Sequence, residues 1–128
     1  MAAELSCDVL VVGAGPTGLM LANWLVKLGV RVIVVVLNNG VLGFQINAEE
    51  SRFGTHTDVC HFGPIDHVAI ARACGCDGIA VDSVPQLSSA LDRALSSPVP
   101  FVIDVSTDPT AFPPLTAFES QLVALEAA

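Results

Sequence analysis

A chain of 128 residues is long enough for one domain with a sizeable hydrophobic core. Its formal net charge of −8, with only five Lys and Arg residues, argues against binding to nucleic acid or to an anionic membrane surface. No apolar run reaches the ~20 residues of a membrane helix. Residues 1–9 lack the basic region and the apolar stretch of a signal peptide. We therefore expect a cytoplasmic or recombinantly expressed protein.

The first 37 residues predict a strand, a glycine turn, a helix and a second strand. Residues 8–12 and 30–37 are valine-rich apolar runs, the pattern of strands that are buried on both faces. The segment between them has a broad apolar face, begins near a proline and ends at Gly29, as helices commonly do. Trp24 lies among the apolar positions of this helix, and we interpret it as a core or interface residue.

A G-x-G-x-x-G motif occupies the turn between the first strand and the helix. Its three glycines permit a tight turn, close approach of a phosphate to the backbone, and close packing of the helix on the strand. The free N–H groups and the dipole at the helix start would then face an anion. The residues predicted to form this anion site are Gly13, Gly15, Pro16, Thr17 and Gly18.

Residues 1–35, which include the segment DVLVVGAGPTGLMLA, resemble the FAD-binding βαβ unit of flavin-dependent aromatic-ring monooxygenases. In such a unit the second strand ends in an acidic residue that holds the ribose hydroxyls. Val36 stands at this position, and no carboxylate lies between Asp8 and Glu49. The resemblance therefore implies only weak binding of FAD, NAD or a bare phosphate.

The rest of the chain begins with an irregular stretch and then alternates helices and strands. Residues 41–62 are predicted to be irregular apart from a helical turn at 45–50. The elements predicted after it are a helix at 64–74, a strand at 78–81, a helix at 85–95, a strand at 100–105, an extended stretch at 108–114 and a terminal helix at 115–127. This alternation predicts a parallel sheet covered by helices on both faces.

Residues 34–118 resemble a different family, the pyrophosphate-binding domain of thiamine-diphosphate enzymes of the acetolactate-synthase and decarboxylase type. The segments that carry the resemblance are VVVLNNGVLGF, FGTHTDVCHFGPIDHVAIARACGCDGIAVDS and SALDRALSSPVPFVIDVSTDPTAFPP. In that family the Asp of a G-D-G motif, the second Asn of an N-N pair and a nearby carbonyl hold the Mg²⁺ that binds the diphosphate. Asn39 matches the second Asn and Val41 the carbonyl, but Ala14 replaces the Asp. The resemblance therefore makes Asn39 a vestigial cofactor-binding residue, because Mg²⁺ prefers oxygen ligands such as the missing carboxylate.

The predicted fold is a Rossmann-like three-layer α/β/α sandwich that forms a single domain over residues 1–128. Family resemblance implies about four parallel strands in the order 1-2-4-3. This order leaves strand 1 at an edge, where its apolar residues invite pairing with another chain. We therefore expect a homodimer that forms through strand 1 or the adjacent helices, with the helix of Trp24 near the contact.

The remaining polar residues predict no catalytic or metal site. Candidate metal ligands are grouped without the spacing of a standard zinc site; they are His56, Asp58, Cys60, His61, Asp66 and His67. The neighbours Cys60 and His61 lack a third group that would orient a nucleophile and its base. Asp82 and Asp104, at predicted strand ends, are interpreted as caps or solvated turn residues. The four cysteines are interpreted as reduced, mostly buried thiols.

Each resemblance lacks the acidic residue that completes its family's site, and the two meet inside the second strand near Val34. We interpret the chain as a designed chimera that joins a flavin-type fragment, 1–35, to a thiamine-diphosphate-type fragment, 34–118, followed by a C-terminal helix at 115–128. Such a protein is expected to have no catalytic activity and no cofactor. The alternative is a weak module for FAD, NAD or phosphate that uses the Gly13–Gly18 loop.

Overall fold

The computed structural model describes residues 7–111, which contain four strands, four α-helices and one short 3-10 turn. In chain order these are β1 Val9–Val12, α1 Pro16–Lys27, β2 Val32–Asn38, α2 Gly43–Phe53, the 3-10 turn Asp58–Cys60, α3 His67–Ala73, β3 Asp77–Val81, α4 Val84–Leu95 and β4 Phe101–Ser106. The described chain forms two compact units, one made of 7–39 with 63–107 and the other of 40–62 with 108–111. The prediction of a single domain over 1–128 stays a prediction.

All four strands belong to the first unit and form one parallel sheet in the order β1-β2-β4-β3. The register places Val9 beside Val32, Ile33 beside Phe101, and Asp77 beside Phe101 on its other side. The strands are short and rich in valine and isoleucine, which suit a sheet covered on both faces. The predicted strand order and the α/β fold are therefore confirmed.

The sheet separates two layers of apolar packing, because alternate residues of each strand point to opposite faces. On one face Ile33, Phe101 and Ile103 pack with Ala90 and Ala94 of α4. Burial of a side chain such as Phe101, which is 1% exposed, contributes roughly 1.5–3 kcal/mol.

The opposite face is covered by α1 and α3. Val11, Val32 and Val34 pack against Ala22 of α1. Val68 of α3 lies directly over Gly78, so that a Cβ built on this glycine would be 3.5 Å from Val68 Cγ1. Helices therefore cover both faces of the sheet, as the alternating pattern predicts.

Much of the apolar surface of α1 is not buried in the described chain. Ala22 is the buried residue of this helix, whereas Trp24 is 62% exposed and Leu28 is 73% exposed. Trp24 is therefore not a core residue of the described chain, and its place in an interface stays a prediction. Strand β1 lies at the sheet edge, as predicted, and Val12 is 62% exposed. Self-association through β1 or the helices beside it stays a prediction.

Two helices differ from the sequence-based expectation. The stretch predicted to be irregular contains α2, an eleven-residue helix that ends at Gly54 in the left-handed conformation (φ 70°). Helix α3 begins at His67 rather than near Pro64, because the Asp66 carboxylate accepts a hydrogen bond from the Ala69 N–H at 2.8 Å and so caps the helix start. The predicted terminal helix at 115–127 lies outside the described residues.

The four cysteines are free thiols, but only Cys60 is buried. Cys74 is exposed, and Cys7 and Cys76 are partly exposed. The expectation that most of them are buried is therefore wrong. In the described part of the chain no helix is both long and apolar enough to cross a bilayer.

Asp77, at the start of β3, connects this strand to α3 and α4. Its Oδ1 accepts a hydrogen bond from the Gly78 N–H at 2.7 Å, and its Oδ2 accepts one from Arg93 Nη2 at 2.8 Å. Arg72 Nε lies 3.5 Å from Oδ1. The Gly78 hydrogen bond, followed by Arg93 and Arg72, lowers the pKa of Asp77 below its ordinary value.

This lowered pKa predicts loss of stability in acid. A carboxyl group whose pKa is depressed in the folded state adds stability above its unfolded pKa, ~3.9, and that stability is lost as the pH falls through the lower folded value. Asp77→Asn should therefore flatten the pH dependence of the free energy of unfolding, measured with urea between about pH 5 and pH 2. Asp92→Asn, at an exposed position of α4, is the matched control. An Asp77→Asn profile as steep as that of the unmodified protein would contradict the prediction.

Candidate functional site

The carboxyl ends of β1 and β2 lie side by side, because the two strands are parallel neighbours with Val12 beside Val35. The turn after β1 is joined to β2 by a hydrogen bond from the Gly13 N–H to the Val35 carbonyl at 2.9 Å. Open α/β sheets bind ligands at this end of the strands. This end of β1 and β2 carries all six residues predicted to bind a cofactor.

The glycine turn after β1 has the tight geometry that its sequence predicts. Gly13 has a φ of 106°, a conformation that side chains disfavour. A Cβ added to Gly18 would collide with the Gly13 carbonyl oxygen and lie 3.2 Å from Val11 Cγ1. The absence of a side chain at Gly18 therefore lets α1 pack directly on the turn.

The start of α1 is open towards solvent. Gly15 is the N-cap residue, Pro16 follows it, and no side chain caps the helix start. N–H groups in a first helical turn have no partner within the helix, so they remain available to water or an anion. A Cβ added to Gly15 would have no neighbour within 4 Å, which leaves room for a group to approach the backbone.

An apolar groove of about 570 Å³ runs along the outer surface of this helix. The residues that line it are Pro16, Thr17, Met20, Leu21 and Trp24.

Five of the six predicted site residues lie in one continuous segment, the turn after β1 and the start of α1. They are Gly13, Gly15, Pro16, Thr17 and Gly18. The sixth, Asn39, follows the last residue of β2.

The residue before Asn39 is held by contacts that sequence reasoning missed. The Asn38 carbonyl accepts a hydrogen bond from the Thr107 N–H at 2.9 Å. Its side-chain Nδ2 lies 3.4 Å from Asp104 Oδ2 and 3.5 Å from His67 Nδ1. These contacts connect the exit of β2 to β4 and to the start of α3.

Asp104 is the centre of this polar cluster. Its Oδ2 lies 3.0 Å from His67 Nδ1, and the residue is only 8% exposed. The interpretation of Asp104 as a cap or solvated turn residue is therefore wrong. Its Oδ1 is buried and has no hydrogen-bond partner in the described chain. The signal in the sequence was a carboxylate within the apolar run FVIDV, since a buried carboxylate needs a partner.

The grouped histidines, acids and cysteine do not come together as one metal centre. Among residues 7–111 there is no set of three or more His, Cys, Asp or Glu side chains arranged to hold a metal. Asp66 caps α3 and His67 contacts Asp104. His56 and His61, by contrast, contact each other, with their Nε2 atoms 2.9 Å apart.

Comparison with known proteins identifies a single family for most of the chain. Residues 13–105 match the family described as thiamine pyrophosphate enzyme, C-terminal TPP binding domain. A probable acetolactate synthase of Mycobacterium bovis is 35% identical over 109 residues, which cover 82% of this chain and 20% of that protein. The putative thiamine pyrophosphate-containing protein YdaP of Bacillus subtilis is 38% identical over 80 residues, which cover 62% of this chain and 14% of that protein.

A solved structure shows the same fold. The thiamine diphosphate-dependent 4-hydroxybenzoylformate decarboxylase of Rhodococcus jostii RHA1 superposes with a TM-score of 0.63 at 25% identity, over 77% of this chain and 19% of that chain. The chain spans about a fifth of the length of the curated acetolactate synthase that it matches.

These comparisons correct three interpretations. The family match begins at Gly13 and continues through β2, so it crosses the joint assumed near Val34 without a break. The interpretation as a designed chimera without catalytic activity is therefore wrong. The expectations that the protein is not an enzyme and has no cofactor are also wrong, because the matched family and the similar proteins are thiamine pyrophosphate enzymes.

Proposed function

We propose a function for this chain, which belongs to the family of the C-terminal TPP-binding domain of thiamine pyrophosphate enzymes. It binds the diphosphate end of thiamine diphosphate within an enzyme of the acetolactate-synthase and decarboxylase type. The single observation that carries the proposal is the family match over residues 13–105. It includes both the glycine turn after β1 and Asn39 after β2, and these two strands are neighbours in the sheet.

The residues present fit the diphosphate. An uncapped helix start, with open space over Gly15, offers backbone N–H groups to the phosphate oxygens. The positive helix dipole favours the same negative charge. When bound, thiamine diphosphate supplies carbanion chemistry, and the residues described here would bind and orient it.

The residues present do not fit the Mg²⁺ that accompanies the diphosphate in this family. Ala14 stands between Gly13 and Gly15, where the family carries a carboxylate. No described residues form a set of three or more metal-ligating His, Cys, Asp or Glu side chains. We therefore propose that the diphosphate is held by backbone amides and that its binding depends little on Mg²⁺.

The proposal is tested by titrating the protein with thiamine diphosphate and with thiamine, using calorimetry and the fluorescence of Trp24. We expect thiamine diphosphate to bind and thiamine, which lacks the phosphates, to bind at least tenfold more weakly, because charge-assisted hydrogen bonds contribute ~1.5–3 kcal/mol. FAD and NAD serve as comparison ligands. Binding of FAD without binding of thiamine diphosphate would contradict the proposal.

A pair of variants locates the binding. Gly15→Asp and Gly15→Asn both supply a good N-cap residue, so both should preserve α1. The aspartate, however, places a negative charge beside the proposed diphosphate. In Mg²⁺-free buffer we expect Gly15→Asp to bind about tenfold more weakly than Gly15→Asn. Equal affinities of the two variants would show that the ligand binds elsewhere.

A further inference from the structure

Basic side chains are distributed unevenly in the unit that contains the sheet. A helix that connects parallel strands runs antiparallel to them, so its last turn lies at the amino edge of the sheet. Lys27, Arg72 and Arg93 lie in the last turns of α1, α3 and α4, and Arg31 directly precedes β2. The fifth Lys or Arg residue of the chain, Arg52, belongs to α2 in the other unit. Within the described part of the sheet-containing unit, the carboxyl edge therefore carries no Lys or Arg.

The basic side chain that does lie at the carboxyl edge is His67, the first residue of α3. Its Nδ1 is 3.0 Å from Asp104 Oδ2 and 3.5 Å from Asn38 Nδ2. Because an ionised carboxylate can only accept, Nδ1 carries a hydrogen and donates it to Asp104. The other ring nitrogen, Nε2, forms no hydrogen bond with any residue of the described stretch 7–111, and the side chain is 28% exposed. Nε2 is therefore the atom through which His67 can bind a ligand.

Asp104 provides the negative charge that would balance a positive charge on this ring. The residue is 8% exposed, and its Oδ1 is buried without a hydrogen-bond partner among the described residues. Removing a carboxylate from water is unfavourable unless an opposite charge lies close to it. The neighbouring carboxylate of Asp66 is exposed and accepts a hydrogen bond from the Ala69 N–H instead. A hydrogen on each ring nitrogen of His67 would therefore give an ion pair with Asp104, and Nε2–H would remain as a donor.

His67 and the start of α1 lie on opposite sides of the exit of β2. The Gly13 N–H donates to the Val35 carbonyl, and Val36 is the register partner of Asp104. The turn after β1 and Asp104 are therefore at nearly the same level of the sheet and two strands apart, which is a distance of roughly 10 Å. Helices α1 and α3 cover the same face of the sheet. With a hydrogen bond of ~2.9 Å at each side, this gap suits two linked phosphoryl groups better than one.

We propose that His67 is a diphosphate ligand: its Nε2–H donates to one phosphoryl group while the backbone amides at the start of α1 hold the other. The positive ring, paired with Asp104, supplies the charge that the family obtains from Mg²⁺ and that this chain lacks a carboxylate at Ala14 to bind. The proton on Nε2 comes from water or from a protonated phosphate oxygen, and it returns there when the ligand leaves. This inference rests on the proposed function, because the start of α1 forms the other half of the site.

The first test uses the unmodified protein in Mg²⁺-free buffer at neutral pH, with inorganic pyrophosphate, inorganic phosphate and thiamine diphosphate as the probes. The imidazole ¹⁵N signals of its three histidines are followed by NMR. We expect pyrophosphate and thiamine diphosphate to move the Nε2 signal of His67 towards that of a protonated ring, and to leave His56 and His61 unchanged. Phosphate at the same concentration should have a smaller effect, because it reaches only one side of the gap. Equal shifts of all three histidines would overturn the proposal.

A pair of variants tests the energetic contribution of the ring. His67→Gln should weaken the binding of thiamine diphosphate about tenfold in calorimetry, because it removes one charge-assisted hydrogen bond. His56→Gln is the matched control, since it removes a histidine of the other unit, and its affinity should be unchanged. Urea unfolding of both variants verifies that each is folded. Unchanged affinity in a folded His67→Gln protein would also overturn the proposal.

The outcomes separate this inference from the proposed function. If thiamine diphosphate binds and Gly15→Asp weakens it, but the signals of His67 do not move, His67 is not a ligand and the proposed function stands. If pyrophosphate moves the signals of His67 and thiamine diphosphate does not bind, the anion site stands and the proposed function fails. If none of the three probes binds, both are wrong.

Discussion

Ala14→Asp should create Mg²⁺-dependent binding of thiamine diphosphate, with an affinity about tenfold to hundredfold higher in the presence of Mg²⁺ than in its absence. The substitution supplies a carboxylate in the turn after β1, which is adjacent to the exit of β2 that carries Asn39. Mg²⁺ requires oxygen ligands in near-octahedral geometry. Charged interactions of ~1.5–3 kcal/mol correspond to this range of affinity, since each ~1.4 kcal/mol is a factor of ten.

The matched control for this prediction is Ala14→Asn, which has a similar shape but no charge. Ala14 is partly buried and packs against the cluster around Val32, so both variants should lose some stability. A thermal unfolding curve for each variant separates this loss from the effect on binding. If Ala14→Asp binds the cofactor equally well with Mg²⁺ and with EDTA, the turn does not face the diphosphate and the proposed function loses its structural basis.

Gly18→Ala should destabilise the protein by about 1–3 kcal/mol, although alanine is the better helix former. In an open helix position this change would stabilise by ~1 kcal/mol. Here the added Cβ collides with the Gly13 carbonyl oxygen, and because that atom belongs to the backbone, the turn or the helix must move. The steric cost therefore determines the sign of the effect, and urea unfolding at neutral pH measures it.

Gly15→Ser, in the same turn, is the matched control. A Cβ at Gly15 has no neighbour within 4 Å, and serine is a favourable N-cap residue. The free energy of unfolding of the Gly15→Ser variant should therefore differ from that of the unmodified protein by less than about 0.5 kcal/mol. A Gly18→Ala protein as stable as Gly15→Ser would mean that α1 can move away from the turn. In that case the close packing of helix and strand would not be required by the fold.

The elements of the sheet could be predicted because their signals are local. Each strand is a short apolar run, and α1 and α4 carry a proline in their first turn. Helix α2 was missed because its sequence, GFQINAEESRF, is largely polar and buries only Ile46. A helix without a long apolar face gives little periodic signal.

The glycine turn illustrates the limit of a short motif. A chain of any family that passes from a buried strand into a closely packed helix benefits from glycines at the positions that Gly13 and Gly18 occupy here. The motif therefore predicted the local geometry correctly, but it led to the wrong interpretation of the chain as two joined fragments. Only the family match over 13–105 established that the turn and the rest of the sheet belong together.

The sequence by itself determined the strands and the helix that follows the glycine turn, because periodicity and turn residues act over a few neighbours. The order of the strands in the sheet followed from family resemblance alone. Only the tertiary structure decided that Asp104 is buried against His67 and Asn38, and that His56 and His61 meet at 2.9 Å. Asp104 and His67 are separated by 37 residues, so no local pattern records their contact. The two histidines are near neighbours in sequence, but they meet only after the chain leaves α2 at Gly54, where Glu49 accepts a hydrogen bond from the Thr57 N–H and Glu50 contacts the His56 ring.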